Sequence, residues 1–121
     1  MQGYFYILGT IIFTVYGQIV LKWRLSLRGI MPDELAGKFK YLSQAFLDPL
    51  ILSGFLSAFV ASIFWMAAMT KFEITYAYPF MSLAPALVFL IGVLFLGETF
   101  TIGKVLGLVI IAIGIFVTVK F

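Results

Sequence analysis

Three features of this sequence predict an all-α membrane protein, with four transmembrane helices and a short interfacial helix in the first loop. Of its 121 residues, 64% are hydrophobic and 11% charged, a balance that lipid can cover and a soluble domain of this size cannot. The apolar residues fall into four long runs, each near the roughly 20 residues that cross about 30 Å of hydrocarbon. The charges lie between those runs or at their ends.

The first run, residues 3–22, is uncharged until Lys22. No basic residue precedes it and no small-residue cleavage site follows it, so it is expected to be a retained helix, not a signal peptide. The second run, residues 50–70, ends before Lys71. The third, residues 74–96, lies between Glu73 and Glu98. The fourth, residues 102–119, holds Lys104 close enough to its end to snorkel. A backbone in lipid must satisfy its own hydrogen bonds, so runs of this length are helical, and the alternation of a membrane β-barrel is missing. Residues 1–121 therefore read as a single four-helix transmembrane domain.

The connections differ in length. Residues 71–73 and 97–101 are tight turns that force antiparallel neighbours. The loop from Arg24 to Asp48 is long and contains Leu35, Phe39, Leu42 and Phe46 at spacings of four, three and four. That spacing predicts one apolar face of a helix over residues 33–47, capped by Asp33 and lying in the membrane interface, with Lys38 and Lys40 off the stripe; the alternative is a cytoplasmic extension of the second run. Lys22, Arg24, Arg28, Lys38, Lys40 and Lys104 fall on one side of the membrane, Lys71 and Lys120 on the other. Six against two puts the long loop in the cytoplasm and both termini outside. These cations sit beside membrane segments, so they are expected to meet lipid headgroups and not nucleic acid.

Polar side chains inside the runs are the candidate site. Tyr6, Thr10, Thr14, Gln18 and Lys22 recur every four residues, which keeps Thr10, Thr14 and Gln18 on one helix face. Gly9 and Gly17 narrow the helix beside them. An amide in hydrocarbon needs a partner, so the stripe either lines a substrate pathway or joins helices. Ser53, Ser57, Ala61 and Trp65 repeat the spacing in the second run, where Trp65 is either a pathway ring or an interfacial anchor. In the third run Pro79 and Pro85 remove backbone donors and loosen the helix, while Tyr78 and Ser82 share a face and offer hydroxyls. The fourth run holds Gly103, Gly107 and Gly114; Gly107 and Gly114, one heptad apart, predict a helix that packs on another helix, either within its own chain or in a homodimer or a heterodimer with a related subunit.

Some chemistry is excluded. With no Cys and no His, disulfides, the usual zinc sites, a thiol nucleophile and the commonest general base are all missing. No nucleophile–base pair or metal set is visible, so neither an enzyme nor a cofactor is expected. No run has a carboxylate or cation at its centre; Asp33, Glu34, Asp48, Glu73 and Glu98 lie in loops or at helix ends, where they are expected to be solvated or capping.

Tyr4, Tyr6, Gly9, Val15, Gly17 and Lys22, the pairs Phe64-Trp65 and Ala77-Tyr78, the stretch from Gly107-Leu108 to Gly114-Ile115 and the turn Gly97-Glu98-Thr99 together resemble the drug/metabolite transporter superfamily, EamA-like and in its four-helix small multidrug resistance form. The resemblance covers nearly the whole chain outside the long loop. It implies a bacterial inner-membrane transporter without a cofactor. Thr14 stands where the small multidrug exporters keep a proton- and drug-binding glutamate. Tyr16-Gly17-Gln18, with Ala77-Tyr78-Pro79 and Ser82-Leu83, is more similar to the branch of subunits that flip undecaprenyl-phosphate-linked aminoarabinose. That branch implies a polyprenyl-phosphate-linked sugar as substrate, with Tyr6, Thr10, Thr14, Gln18, Trp65, Tyr78 and Ser82 along its path and membrane lipid around it. The alternatives are an exporter of hydrophobic cations, which would use its aromatic residues as a cage, and a non-transporting subunit that stabilises a partner.

Overall fold

The structure, a computed structural model, describes residues 2–121. It is 84% helical, with no strand among the described residues. Six helices follow one another: α1 (Gln2–Arg28), α2 (Leu35–Phe46), α3 (Pro49–Met69), α4 (Ile74–Ala77), α5 (Leu83–Phe95) and α6 (Ile102–Lys120). Helices α1, α3 and α6 each make one apolar span, and α4 and α5 make the remaining one together across a 3-10 turn, Tyr78–Ser82.

The first helix outlasts its apolar run by more than a turn. Residues 22–28 contain good helix formers, and Arg24 and Arg28 both reach Asp48 from this extension. Gly29, at φ +86°, stops it in a left-handed conformation that a side chain would strain. Helix α2 starts later than its sequence suggests. Asp33 does not cap it: the capping position, immediately before the first helical residue, belongs to Glu34, which is extended and makes no side-chain capping bond. Pro32 folds tightly against Gly37, its Cβ 2.8 Å from where a Gly37 Cβ would stand, and this shifts the helix start past Asp33. The inner face of α2 is fastened by buried Ala45 and by the Tyr41 hydroxyl, which donates to Gly29 O at 3.0 Å. Its apolar stripe, Leu35, Phe39, Leu42 and Phe46, is exposed.

Helix α3 begins with Pro49 at its first turn and Asp48 at its N-cap, where the carboxylate accepts from the Leu50 N–H at 2.9 Å. It runs antiparallel along α1, and the two backbones meet at Gly17 and Gly54. A Cβ on Gly17 would stand 2.9 Å from Gly54 O. Two hydrogen bonds join the helices beside that crossing. The Ser57 hydroxyl donates to Phe13 O at 2.6 Å, and the Tyr16 and Ser53 hydroxyls pair at 3.0 Å. Small side chains on α3 thus allow the approach, and their hydroxyls then bind across it.

Of the two prolines only Pro79 breaks the span; Pro85 sits in the first turn of α5, where its missing N–H costs no intrahelical bond. Pro79 lies inside the 3-10 turn that separates α4 from α5. A proline supplies no N–H and disrupts the α-helical ladder, and the tighter 3-10 turn carries the chain past it. Gly97, at φ +70°, closes α5, and the Glu98 N–H donates back to Gly92 O at 3.1 Å. Thr101 then caps α6 by accepting from the Lys104 N–H.

The core is narrow. Ile7, Ile11 and Val15 of α1 meet Ala68, Ala77 and Ala84 from the other elements, so α1 is the central helix. Helix α6 has no buried residue; it rests on the 3-10 turn and α5 from outside. So much uncovered apolar surface is compatible with lipid and not with water.

Candidate functional site

The polar stripe of α1 is bordered by three clefts in sequence. The first lies between α1, α3 and the 3-10 turn, with a volume of about 310 Å³; Thr10, Thr14, Ser62, Trp65, Tyr78 and Met81 line it. The Trp65 and Tyr78 rings meet edge-on at 6.0 Å, which fixes both at its rim. The buried Thr10 hydroxyl donates to Tyr6 O at 2.9 Å, leaving its oxygen lone pairs to accept. The second cleft, about 160 Å³, lies beside the Gly17–Gly54 crossing; Thr14 and Gln18 line its polar side. The third, about 340 Å³, lies between α1, α5 and the α5–α6 turn, lined among others by Gln18, Phe89, Gly92, Glu98 and Lys104.

Thr14 borders the first and second clefts, and Gln18 the second and third. Among the described residues neither side chain has a hydrogen-bond partner within the chain, so both remain free to bind something else. A fourth cleft, behind the stripe between Tyr16 and Val60, is walled almost wholly by apolar groups.

Of the candidate residues, the fold brings Thr10, Thr14, Trp65 and Tyr78 into one cleft and places Gln18 one helical turn beyond Thr14. Two others stand apart. Tyr6 packs against the core cluster, and Ser82 sits half-buried in the 3-10 turn; neither lines these clefts. Ser82 shares a helical face with Tyr78 only if the segment is α-helical, and the 3-10 winding alters that phase. Gly107 and Gly114 lie on the outer helix with nothing within 4 Å of a Cβ at either position.

Reasoning from spacing missed Glu98 and Lys104 as cleft residues. The Glu98 side chain folds over Gly92, its Cγ and Cδ 3.6 and 3.7 Å from a Cβ placed there. The Lys104 ammonium bends back to donate to Thr99 O at 2.9 Å. Asp48 is also more than a helix cap. Buried where α1, α2 and α3 meet, it accepts from Arg24 Nε at 2.9 Å, with Arg28 Nη2 at 3.7 Å. The Arg24 hydrogen bond, joined by the Leu50 N–H, holds its carboxyl below the usual carboxylate range, against the opposing effect of burial. Two cations of the long loop are therefore engaged within the protein.

Comparison with known proteins agrees with this architecture. Three curated relatives carry the name "Probable 4-amino-4-deoxy-L-arabinose-phosphoundecaprenol flippase subunit ArnF". That of Aeromonas hydrophila is 31% identical over 117 residues, covering 94% of this chain and 77% of the relative. That of Enterobacter sp. is 29% identical over 119 residues, covering 95% and 92%. That of Pseudomonas paraeruginosa is 30% identical over 117 residues, covering 94% and 82%. No solved structure matches the chain significantly. The EamA-like transporter family model matches residues 3–120, from the first turn of α1 to the last of α6. A membrane protein of four apolar spans whose whole length fits that model belongs to the EamA-like transporter family.

Proposed function

We propose that this protein is a subunit of an inner-membrane flippase that moves a polyprenyl-phosphate-linked sugar across a bacterial membrane. The observation that carries this reading is the run of clefts along α1, in which Thr14 and Gln18 are each shared by neighbours. A sugar could pass from one hydroxyl or amide to the next while its lipid tail stays in the bilayer beside the bundle. The walls are mainly apolar and open sideways, which suits a substrate that is itself half lipid. The relatives named as flippase subunits support the same class of substrate. The bias of basic residues supports periplasmic termini, with the Gln18 end of the stripe toward the cytoplasm.

Reconstituted in liposomes, together with a related subunit if the protein works as a heterodimer, the protein should speed transfer of a polyprenyl-phosphate-linked sugar between leaflets. Transfer is read by the fraction of sugar open to an impermeant oxidant. A rate equal to that of protein-free liposomes under both conditions would overturn the reading.

Four spans with so little buried surface barely enclose a path, and α6 contributes an uncovered outer face with Gly107 and Gly114 on it. Pairing through this face, with a second copy or a related subunit, completes the proposal. Gly107→Leu should leave the folded subunit intact, since it meets open space there. It should weaken pairing roughly ten-fold through overpacking of about 1–3 kcal/mol. Crosslinking yields against protein concentration check this; unchanged pairing would remove α6 from the interface.

A further inference from the structure

Helix α2 turns two different faces to its surroundings. Tyr41 and buried Ala45 fasten one face to the bundle, and the Tyr41 hydroxyl donates to Gly29 O just beyond the end of α1. Leu35, Phe39, Leu42 and Phe46 lie about 110° round the helix from that face. Each of them is between 52% and 71% exposed, so the bundle does not cover the stripe. Its direction is set at Phe46, whose ring meets that of Phe55 at 5.3 Å. Phe55 is exposed on α3, six residues past Pro49 and about 9 Å into the span. The stripe thus points along α3 toward the hydrocarbon and continues the lipid-facing surface of that span. Asp48, tied to Arg24 at 2.9 Å, holds the α2–α3 corner against α1 at this depth. Exposed Trp23 precedes Arg24 on α1, at the end of the span where such rings favour the membrane interface.

We propose that α2 is a docking surface for the head-group region of an anionic lipid leaflet, independently of what the protein transports. The apolar stripe enters the acyl boundary. Lys38 and Lys40, which leave the helix on either side of the stripe, extend to the lipid phosphates. Charge favours an anionic lipid over a zwitterionic one. Residues 22–48 hold five cations against three carboxylates, and Asp33 and Glu34 lie before α2, which carries no carboxylate of its own. Asp48 faces Arg24 and Arg28, whereas neither lysine of α2 has an ion-pair partner among the described residues. Unpaired lysines beside a membrane are drawn to anionic head groups. A docked α2 fixes the adjoining ends of α1 and α3 at one depth in the leaflet.

The chain has no Cys, so single cysteines report on α2 in the full-length protein, reconstituted in bilayers of phosphatidylcholine and phosphatidylglycerol. Nitroxide labels on Phe39→Cys and Leu42→Cys should meet dissolved oxygen more readily than a water-soluble nickel chelate. A label on Gln44→Cys, on the opposite side of the helix, should show the reverse. The ratio of the two accessibilities should differ about ten-fold between the faces. Equal ratios at Phe39 and Gln44 would overturn the inference. So would loss of both kinds of collision at Phe39 and Leu42, because protein would then cover the stripe and a second copy would be its occupant. The charge is tested with a bimane label on Phe39→Cys and lipids brominated in the acyl chain. In the same mixture, brominated phosphatidylglycerol should quench about two-fold more than an equal amount of brominated phosphatidylcholine. Replacing both Lys38 and Lys40 with Gln should abolish that preference, and replacing both with Arg should keep it. Equal quenching by the two lipids would overturn the anionic assignment, and a preference that survived the Gln pair would overturn the role of the lysines. None of these measurements requires transport, so their failure leaves the flippase reading in place.

Discussion

Gly17→Ala is expected to be the most damaging small substitution in this protein. The added methyl would stand 2.9 Å from the backbone oxygen of Gly54, and a methyl on Gly54 would stand 3.2 Å from Gly17 O. Neither contact can be relieved by rotating a side chain, because both obstacles are backbone. The helices must separate, which lengthens the Ser57–Phe13 and Tyr16–Ser53 hydrogen bonds that flank the crossing. Overpacking of this kind costs about 1–3 kcal/mol, and the lost hydrogen bonds add about 0.6 kcal/mol each in a membrane setting. Gly9→Ala is the control. Its methyl would stand 2.6 Å from the Phe64 ring, a side chain that can turn aside, so the loss should be smaller. Unfolding midpoints in mixed micelles give the ranking. A Gly17→Ala protein as stable as wild type would show that the crossing tolerates separation.

Gln18→Leu should have the largest effect on substrate. The change keeps similar bulk and deletes both amide functions at the junction of two clefts. Affinity for a polyprenyl-phosphate-linked sugar should fall by about 1–3 kcal/mol, the cost of leaving polar groups unpaired. A side chain that merely joined helices would show the opposite pattern, impaired assembly with normal affinity. Measuring both on one preparation separates the two, and normal affinity would sink the pathway role. The wild-type interaction should also be flat between about pH 6 and 8, since no side chain present has its reference pKa there. Asp48, the buried carboxylate, is held charged by Arg24 and stays ionised throughout that window. The probe must be a phosphodiester, because a phosphate monoester itself titrates near pH 6. A ten-fold change in affinity across the window would reveal a coupled proton.

Much of the candidate site is legible in the sequence because a four-residue spacing is nearly one helical turn. Thr10, Thr14 and Gln18 had to share a face whatever that face met. Tyr78 and Ser82 were harder, since their relation depends on how the chain winds past Pro79, and spacing alone assumes an α-helix. Glu98 and Lys104 looked like ordinary turn and helix-end residues. Only the folding of the α5–α6 turn back toward Gln18 gives them a cleft in common.

The sequence by itself determined that this protein lives in a membrane, where its four spans lie, that α1 carries a polar stripe and that the third span is interrupted by a proline, Pro79. Those properties follow from apolar content, length and periodicity, which act locally or through the solvent. The tertiary structure alone decided that α1 is central and α6 peripheral, that Gly17 faces Gly54, and that Asp48 gathers Arg24 and Arg28. It also decided which polar residues border a shared space. These depend on contacts between segments far apart in the chain, and such contacts are selected by steric fit and charge pairing that no single segment encodes.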